Sequence, residues 1–144
     1  MRFDELPQGW AQRPITDPDV FEGVVDLIAT TQSRSDGATY VLLCHPNGRL
    51  LQPICLPGET RGADVSQVVE NVSRVLTEVA RHDVHDVALV IARPGGVDPT
   101  TRDLDLRAAF EGACRTTGFR LGGVAIAAPD AVAVLPGHGG RAAA

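Results

Sequence analysis

The stretch DVALVIA, residues 86–92, constrains the fold more than any other part of the chain. Six of its seven residues are apolar, two are valine and one isoleucine, and the run is too short for a buried helix. That is the pattern of a strand buried on both faces, as in a sheet with helices above and below it. The sequence supplies those helices on either side of the run. Upstream, DVSQVVENVSRVLTEVARH places Val65, Val68, Val69, Val72, Val75, Leu76 and Val79 at three- and four-residue steps, while Gln67, Glu70, Arg74, Glu78 and Arg81 face outward. Downstream, a helix is predicted near 102–117, ended by Gly118.

The remaining segments fit the same plan. TDPDVFEGVVDLIATTQSRS predicts a helix capped by Asp17, with Pro18 in its first turn and Val20, Phe21, Val24, Val25, Leu27 and Ile28 on its apolar side. ATYVLLCHPNGRLLQPICLPG predicts a hairpin with strands near 38–45 and 49–56. A two-residue turn on Asn47-Gly48 would set Cys44 opposite Leu51 and Tyr40 opposite Cys55. Both hairpin faces are largely apolar, as expected of a sheet covered twice. Pro53 cannot donate to a ladder, and marks an edge or a bulge. LGGVAIAAPDAVAVLPG predicts two short strands around Pro129-Asp130. The order helix, hairpin, helix, strand, helix, two strands predicts one three-layer α/β/α domain over residues 15–136. An irregular arm anchored by Trp10 is expected over 1–14, and a disordered tail over 137–144.

Composition excludes several functions. One core is what 144 residues support. The net charge is −5 and all thirteen basic residues are scattered arginines, so no basic stripe exists to follow a nucleic-acid backbone. No apolar run approaches the roughly 18 residues of a membrane helix. MRFDELPQGWAQRP lacks the apolar centre of a signal peptide, and the expected location is cytoplasmic. Three cysteines, Cys44, Cys55 and Cys114, without a C-x-x-C, predict buried free thiols rather than a metal cluster or disulfides. His82 and His85 sit where a cation suits a helix C-terminus, His45 opens a turn, and His138 falls in the tail.

The candidate site is VIARPGGVDPTTRD, residues 90–103, where the apolar strand runs into a Pro/Gly loop and then a helix. Thr100-x-x-Asp103 has the spacing of a capping box, with a carboxylate suited to the helix dipole. Arg93 beside free helix N–H groups is the second candidate, a site for a carboxylate or phosphate, opposed by Asp98 and Asp103.

With YVLLCHPNGRLLQ, LPGETRGADVSQVV, VALVIARPGG and RTTGFRLGGVAIA in that order, the chain resembles the JAB (MPN) domain of RadC-like proteins across residues 15–136. The resemblance implies a mixed sheet in a fold similar to that of cytidine deaminases. It also implies a zinc site in catalytic members: a Glu near the first strand, then His-x-His-Pro, a Ser and an Asp. Two imidazoles and a carboxylate would hold the ion with a water position open, and a second carboxylate would move protons. Here the His-x-His pair falls on Ile91 and Arg93, followed by the matching Pro94. Counting without a gap puts the Ser at Thr101 and the Asp at Leu104; anchoring on Gly118-Phe119 moves the Asp to Asp103, and Ala113 then also falls into place. A later Asp-His pair falls on Gly123 and Val124, and no Glu lies between Ala29 and Gly58. The ligands are lost, so the expectation is a catalytically inactive domain that binds or scaffolds proteins, by self-association or with a partner, without metal or cofactor. The alternative is a sensor or enzyme that grips a small anion in a cleft between Arg93 and Asp103. A metallohydrolase with ligands recruited from elsewhere is a third reading.

Overall fold

A computed structural model describes residues 2–57 and 65–136. The elements run α1 (Phe21–Ile28), α2 (Thr31–Asp36), β1 (Ala38–Cys44), β2 (Leu50–Pro57), α3 (Val65–Ala80), β3 (Asp86–Ala92), α4 (Thr101–Thr117), β4 (Arg120–Ala127) and β5 (Val132–Val134). One mixed five-stranded sheet has the order β2-β1-β3-β4-β5. Only β3 and β4 are parallel, and α4 forms the crossover between them. DVALVIA is the central strand, and six of its residues are buried.

Alternation along the strands sorts the core into two halves. Val87, Leu89 and Ile91 of β3, with Val124 and Ile126 of β4, pack against Val68, Val72 and Leu76 of α3 and Leu106, Phe110 and Cys114 of α4. Ala88, Val90, Ala92, Ala125 and Ala127 face the other way, toward Ile15, Val20 and the α1 residues Phe21, Val24 and Val25. Val68, Val72 and Leu76 lie four residues apart on one α3 stripe and are fully buried, which stabilises by about 1.5–3 kcal/mol per side chain. Helices thus cover both faces of the sheet.

The helix expected through TDPDVFEGVVDLIATTQSRS is two helices. Residues 17–20 form a turn in which the Asp17 carbonyl accepts from Val20 N and Phe21 N at 2.9 and 3.0 Å. The Asp17 carboxylate is engaged by Arg13 instead of capping. The second break falls at Ala29, in extended conformation. Thr30 then caps α2, its Oγ1 accepting from Ser33 N at 3.0 Å; a threonine oxygen competes with helix continuation in this way.

The hairpin turn also differs from expectation. His45 N donates to Arg49 O, and Gly48 N to His45 O, each at 2.8 Å, so Pro46-Asn47-Gly48 form a three-residue loop. Gly48 takes φ +89°, and an added Cβ would lie 2.8 Å from Pro14, so this position requires glycine. The longer loop sets Cys44 opposite Leu50, and a bulge after Leu43 restores the register with Tyr40 opposite Cys55. Strand β2 is the sheet edge, where Pro53 interrupts no inner ladder. On β2, Ile54 and Leu56 pack on the α3/α4-side core and Leu50 on the α1-side core, while Leu51, Pro53 and Cys55 are exposed, so the expected second cover reaches only the start of β2.

The first residues include two 3₁₀ turns, Phe3–Glu5 and Trp10–Gln12, and Trp10 packs partly buried against the α1-side core. The tail expected over 137–144 lies outside the described residues.

Segment 15–21 lies tight on the start of β4 because Gly122 and Gly123 have no side chains. A Cβ on Gly123 would come 2.9 Å from the buried Phe21 ring. Gly123→Ala is therefore expected to lower stability by about 1–3 kcal/mol in urea unfolding. Gly96→Ala, whose added carbon meets nothing within 4 Å, should stay within about 0.5 kcal/mol.

Candidate functional site

Strand β3 ends at Ala92, and residues 93–100 lead into α4. Gly95 supplies a left-handed turn at φ +95°. Thr100 is the N-cap: its Oγ1 accepts from Asp103 N at 3.1 Å, and the Asp103 carboxylate accepts from Thr100 N at 2.9 Å. The capping box forms with aspartate in the third helical position.

Arg93 folds back into this corner. Its Nε donates to both Asp103 oxygens at 3.0 and 3.1 Å, and its Nη2 to Asp103 Oδ2 at 2.7 Å and Asp98 O at 3.1 Å. Its Nη1 donates to Pro94 O at 3.1 Å and Gly96 O at 2.7 Å. A guanidinium carries five N–H donors, and these acceptors engage all of them. The pair is well covered, with side-chain exposures of 14% for Arg93 and 2% for Asp103. Burial alone would raise the Asp103 pKa, but the Arg93 guanidinium and the Thr100 N–H overcome it and hold the carboxyl below its usual range.

The structure thus brings Arg93 and Asp103 together as a clasp from strand end to helix start. Ile91 is 1% exposed in the core beneath α3 and α4, and Thr101 is an exposed first-turn residue of α4. Leu104, the ungapped alternative, is exposed. Gly123 lies beneath Phe21, and Val124 is in the core. An anion brought to Arg93 would have to displace Asp103 or a loop carbonyl. Among the described residues, no group of three or more His, Cys, Asp or Glu is placed to hold a metal ion. Beside Ile91 on the ladder, the fully buried Thr39 Oγ1 has no hydrogen-bond partner.

A second arginine, this one buried, escaped the sequence reading. Arg34 of α2 donates to the carbonyls of Ala29, Ala128 and Asp26 at 3.1, 3.2 and 3.0 Å, and pairs with the Asp26 carboxylate at 3.0 Å. The readable signal was Thr30-x-x-Ser33 as a new helix start, which would have placed Arg34 in a short helix beside the sheet. Tyr40 joins the same corner, its hydroxyl 2.7 Å from Ser33 Oγ. His85 stacks obliquely on Phe119 at 5.8 Å rather than joining any site.

Two open cavities lie at the opposite end of the sheet, sharing Thr16 and Gly122. One, of about 280 Å³, is lined by Cys44, Asn47, the Asp86–Arg120 ion pair and neighbouring backbone. The other, of about 170 Å³, lies between Phe21, Arg107, Glu111 and the start of β4. Cys44 and Cys114 are buried, and burial pushes both thiols up to about 12. Cys55, expected to be buried, is exposed, because β2 is an edge strand with one open face. No helix among the described residues is long and apolar enough to cross a membrane.

Neither a protein-family model nor a curated protein matches the chain.

The clasp can be tested by a double-mutant cycle. Arg93→Met leaves a buried carboxylate without its cation and is expected to cost about 3–5 kcal/mol; adding Asp103→Asn should recover part of that loss, with a coupling of about 1–3 kcal/mol. Because the folded pKa of Asp103 is depressed, its contribution holds above the ordinary value near 3.9 and is lost as pH falls through the folded value. Urea midpoints measured down to pH 2 should show this acid loss in the native chain, while Arg93→Met gains on it as the stranded carboxylate protonates. Separately, brief alkylation of the folded protein should label Cys55 alone, with Cys44 and Cys114 reacting only after denaturation, as read by peptide mass spectrometry.

Proposed function

We propose that this chain is a JAB/MPN-like domain in which an arginine–aspartate clasp occupies the position where catalytic relatives hold zinc, and that it serves as a protein-binding or scaffolding module. The observation that carries this reading is the engagement of every Arg93 donor by Asp103 and the loop carbonyls. In the resemblance, Arg93 stands at the second histidine of His-x-His-Pro and Ile91 at the first. A catalytic zinc needs three protein ligands from nitrogen, sulfur or oxygen donors. These positions offer one carboxylate, already ion-paired, beside a fixed positive charge that repels a cation. The residues do not fit the metal.

A domain that keeps such a frame without its ligands has its surface left as the working part. A second copy of the chain or another protein is the partner class this reading favours. The same bonds that argue against zinc argue against the anion-gripping alternative, since Arg93 has no donor left to offer.

Protein expressed in zinc-supplemented medium and analysed by plasma mass spectrometry is expected to carry far less than one zinc per chain, with a melting temperature unmoved by EDTA. Stoichiometric zinc whose removal lowers that temperature would falsify the reading.

A further inference from the structure

We propose that the cavity of about 280 Å³ at the amino ends of β3 and β4 is a binding site for a free α-amino acid, whose carboxylate meets Arg120 and whose ammonium group meets Asp86. The site lies at the end of the sheet away from the Arg93–Asp103 clasp and does not depend on the module reading. The sheet is interrupted where this cavity forms. Among the described residues its two breaks in strand register both fall here. Cys44 follows the bulge against β2, and Gly122 is an extra residue of β4 between the partners of Val87 and Ala88. Bulges are rare in parallel pairs, and they recur beside sites where a strand re-aims its side chains.

The charges lining the cavity are only half engaged. Arg120 Nε donates to Asp86 Oδ1 at 2.8 Å, and among the described residues neither Nη of Arg120 nor Oδ2 of Asp86 has a partner. Asp86 is largely covered, its side chain 18% exposed, while Arg120 stands at the rim, 77% exposed. Asn47 Oδ1 accepts from Arg49 N at 3.1 Å, which leaves its amide N–H groups to donate. A free carboxylate oxygen beside a free guanidinium fork selects a ligand that carries both charges. A lone anion would be repelled by Asp86, and a lone cation by Arg120. A metal ion would find one carboxylate and a thiol that burial keeps protonated. A zwitterion satisfies both groups, with a charge-assisted carboxylate–guanidinium pair and an ammonium group donating to Asp86. In an α-amino acid the two charges share one carbon, which matches an acid and a base already in contact. The volume falls below that of cofactor-sized pockets and suits a small side chain against Pro46 and Val87.

The test is ¹⁵N NMR titration of the full chain with each proteinogenic amino acid at millimolar concentration. At least one should give saturable shifts centred on the amides of Asn47, Asp86, Arg120 and Gly122. Its methyl ester lacks the carboxylate and its N-acetyl form lacks the ammonium group, so each should bind at least about tenfold more weakly. Arg120→Gln should weaken binding as much at an unchanged melting temperature, because Arg120 lies largely in solvent. Asp86→Asn, which keeps the shape and removes the charge, should do the same to binding. The site is overturned if no amino acid gives saturable shifts, if the shifts centre on another surface, or if a blocked form or either variant binds as tightly as the parent pair.

Discussion

Everything in this fold depends on β3 being covered on both faces by side chains of different size. Toward α3 and α4 it presents Val87, Leu89 and Ile91; toward α1 it presents Ala88, Val90 and Ala92, and β4 repeats the contrast with Val124 and Ile126 against Ala125 and Ala127. Large residues on one face fill the space beneath two long helices. Small residues on the other let a short helix and the 15–20 segment approach the sheet closely, as Gly122 and Gly123 do at its end. Interiors pack near crystal density, so a change of one methylene on either face is felt across the layer.

The two ends of the sheet are then finished differently. Ligands in parallel α/β sheets commonly bind beyond the carboxyl ends of the strands. In this chain that end is held by two arginines, one over each face: the half-buried Arg93 ties the loop after β3 to α4, and the buried Arg34 ties α1 and α2 to Ala128 after β4. Both spend most of their donors on backbone carbonyls, which meets the hydrogen-bonding need of loops that would otherwise be left unsatisfied. The open cavities lie at the other end, where β4 outruns β5 and where Cys44, Asp86 and Arg120 meet.

How much of this was legible in the sequence follows from how local each signal is. The central strand, the α3 stripe, the end of α4 at Gly118 and the pairing of Tyr40 with Cys55 rest on short-range periodicity or turn spacing, and the structure has them. The Thr100–Asp103 box was readable for the same reason. Part of what failed needed non-local knowledge. The break at Ala29 is stabilised by Arg34 reaching Ala128, ninety-four residues away. The exposure of Cys55 depends on the α1-side cover reaching Leu50 and stopping short of the rest of β2, which no pattern within the hairpin encodes. Arg93 and Asp103 were both singled out, but their union was not, because donor saturation depends on where three loop carbonyls point.

That saturation bears on what the clasp contributes. A buried ion pair sets desolvation of two charges against their attraction, and its net worth to stability is often small. Its geometric effect is large: one planar group fixes the strand end at residue 93, the carbonyls of residues 94, 96 and 98, and the first turn of α4 at residue 103. Under the proposed reading, residues 93 and 103 are two of the points a bound metal would otherwise draw together. An arginine can take over the mechanical half of that role, holding loop and helix in register, while offering neither an open coordination position nor a bound water. The loop would then keep its shape for the sake of the surface around it, and lose the chemistry without losing the frame.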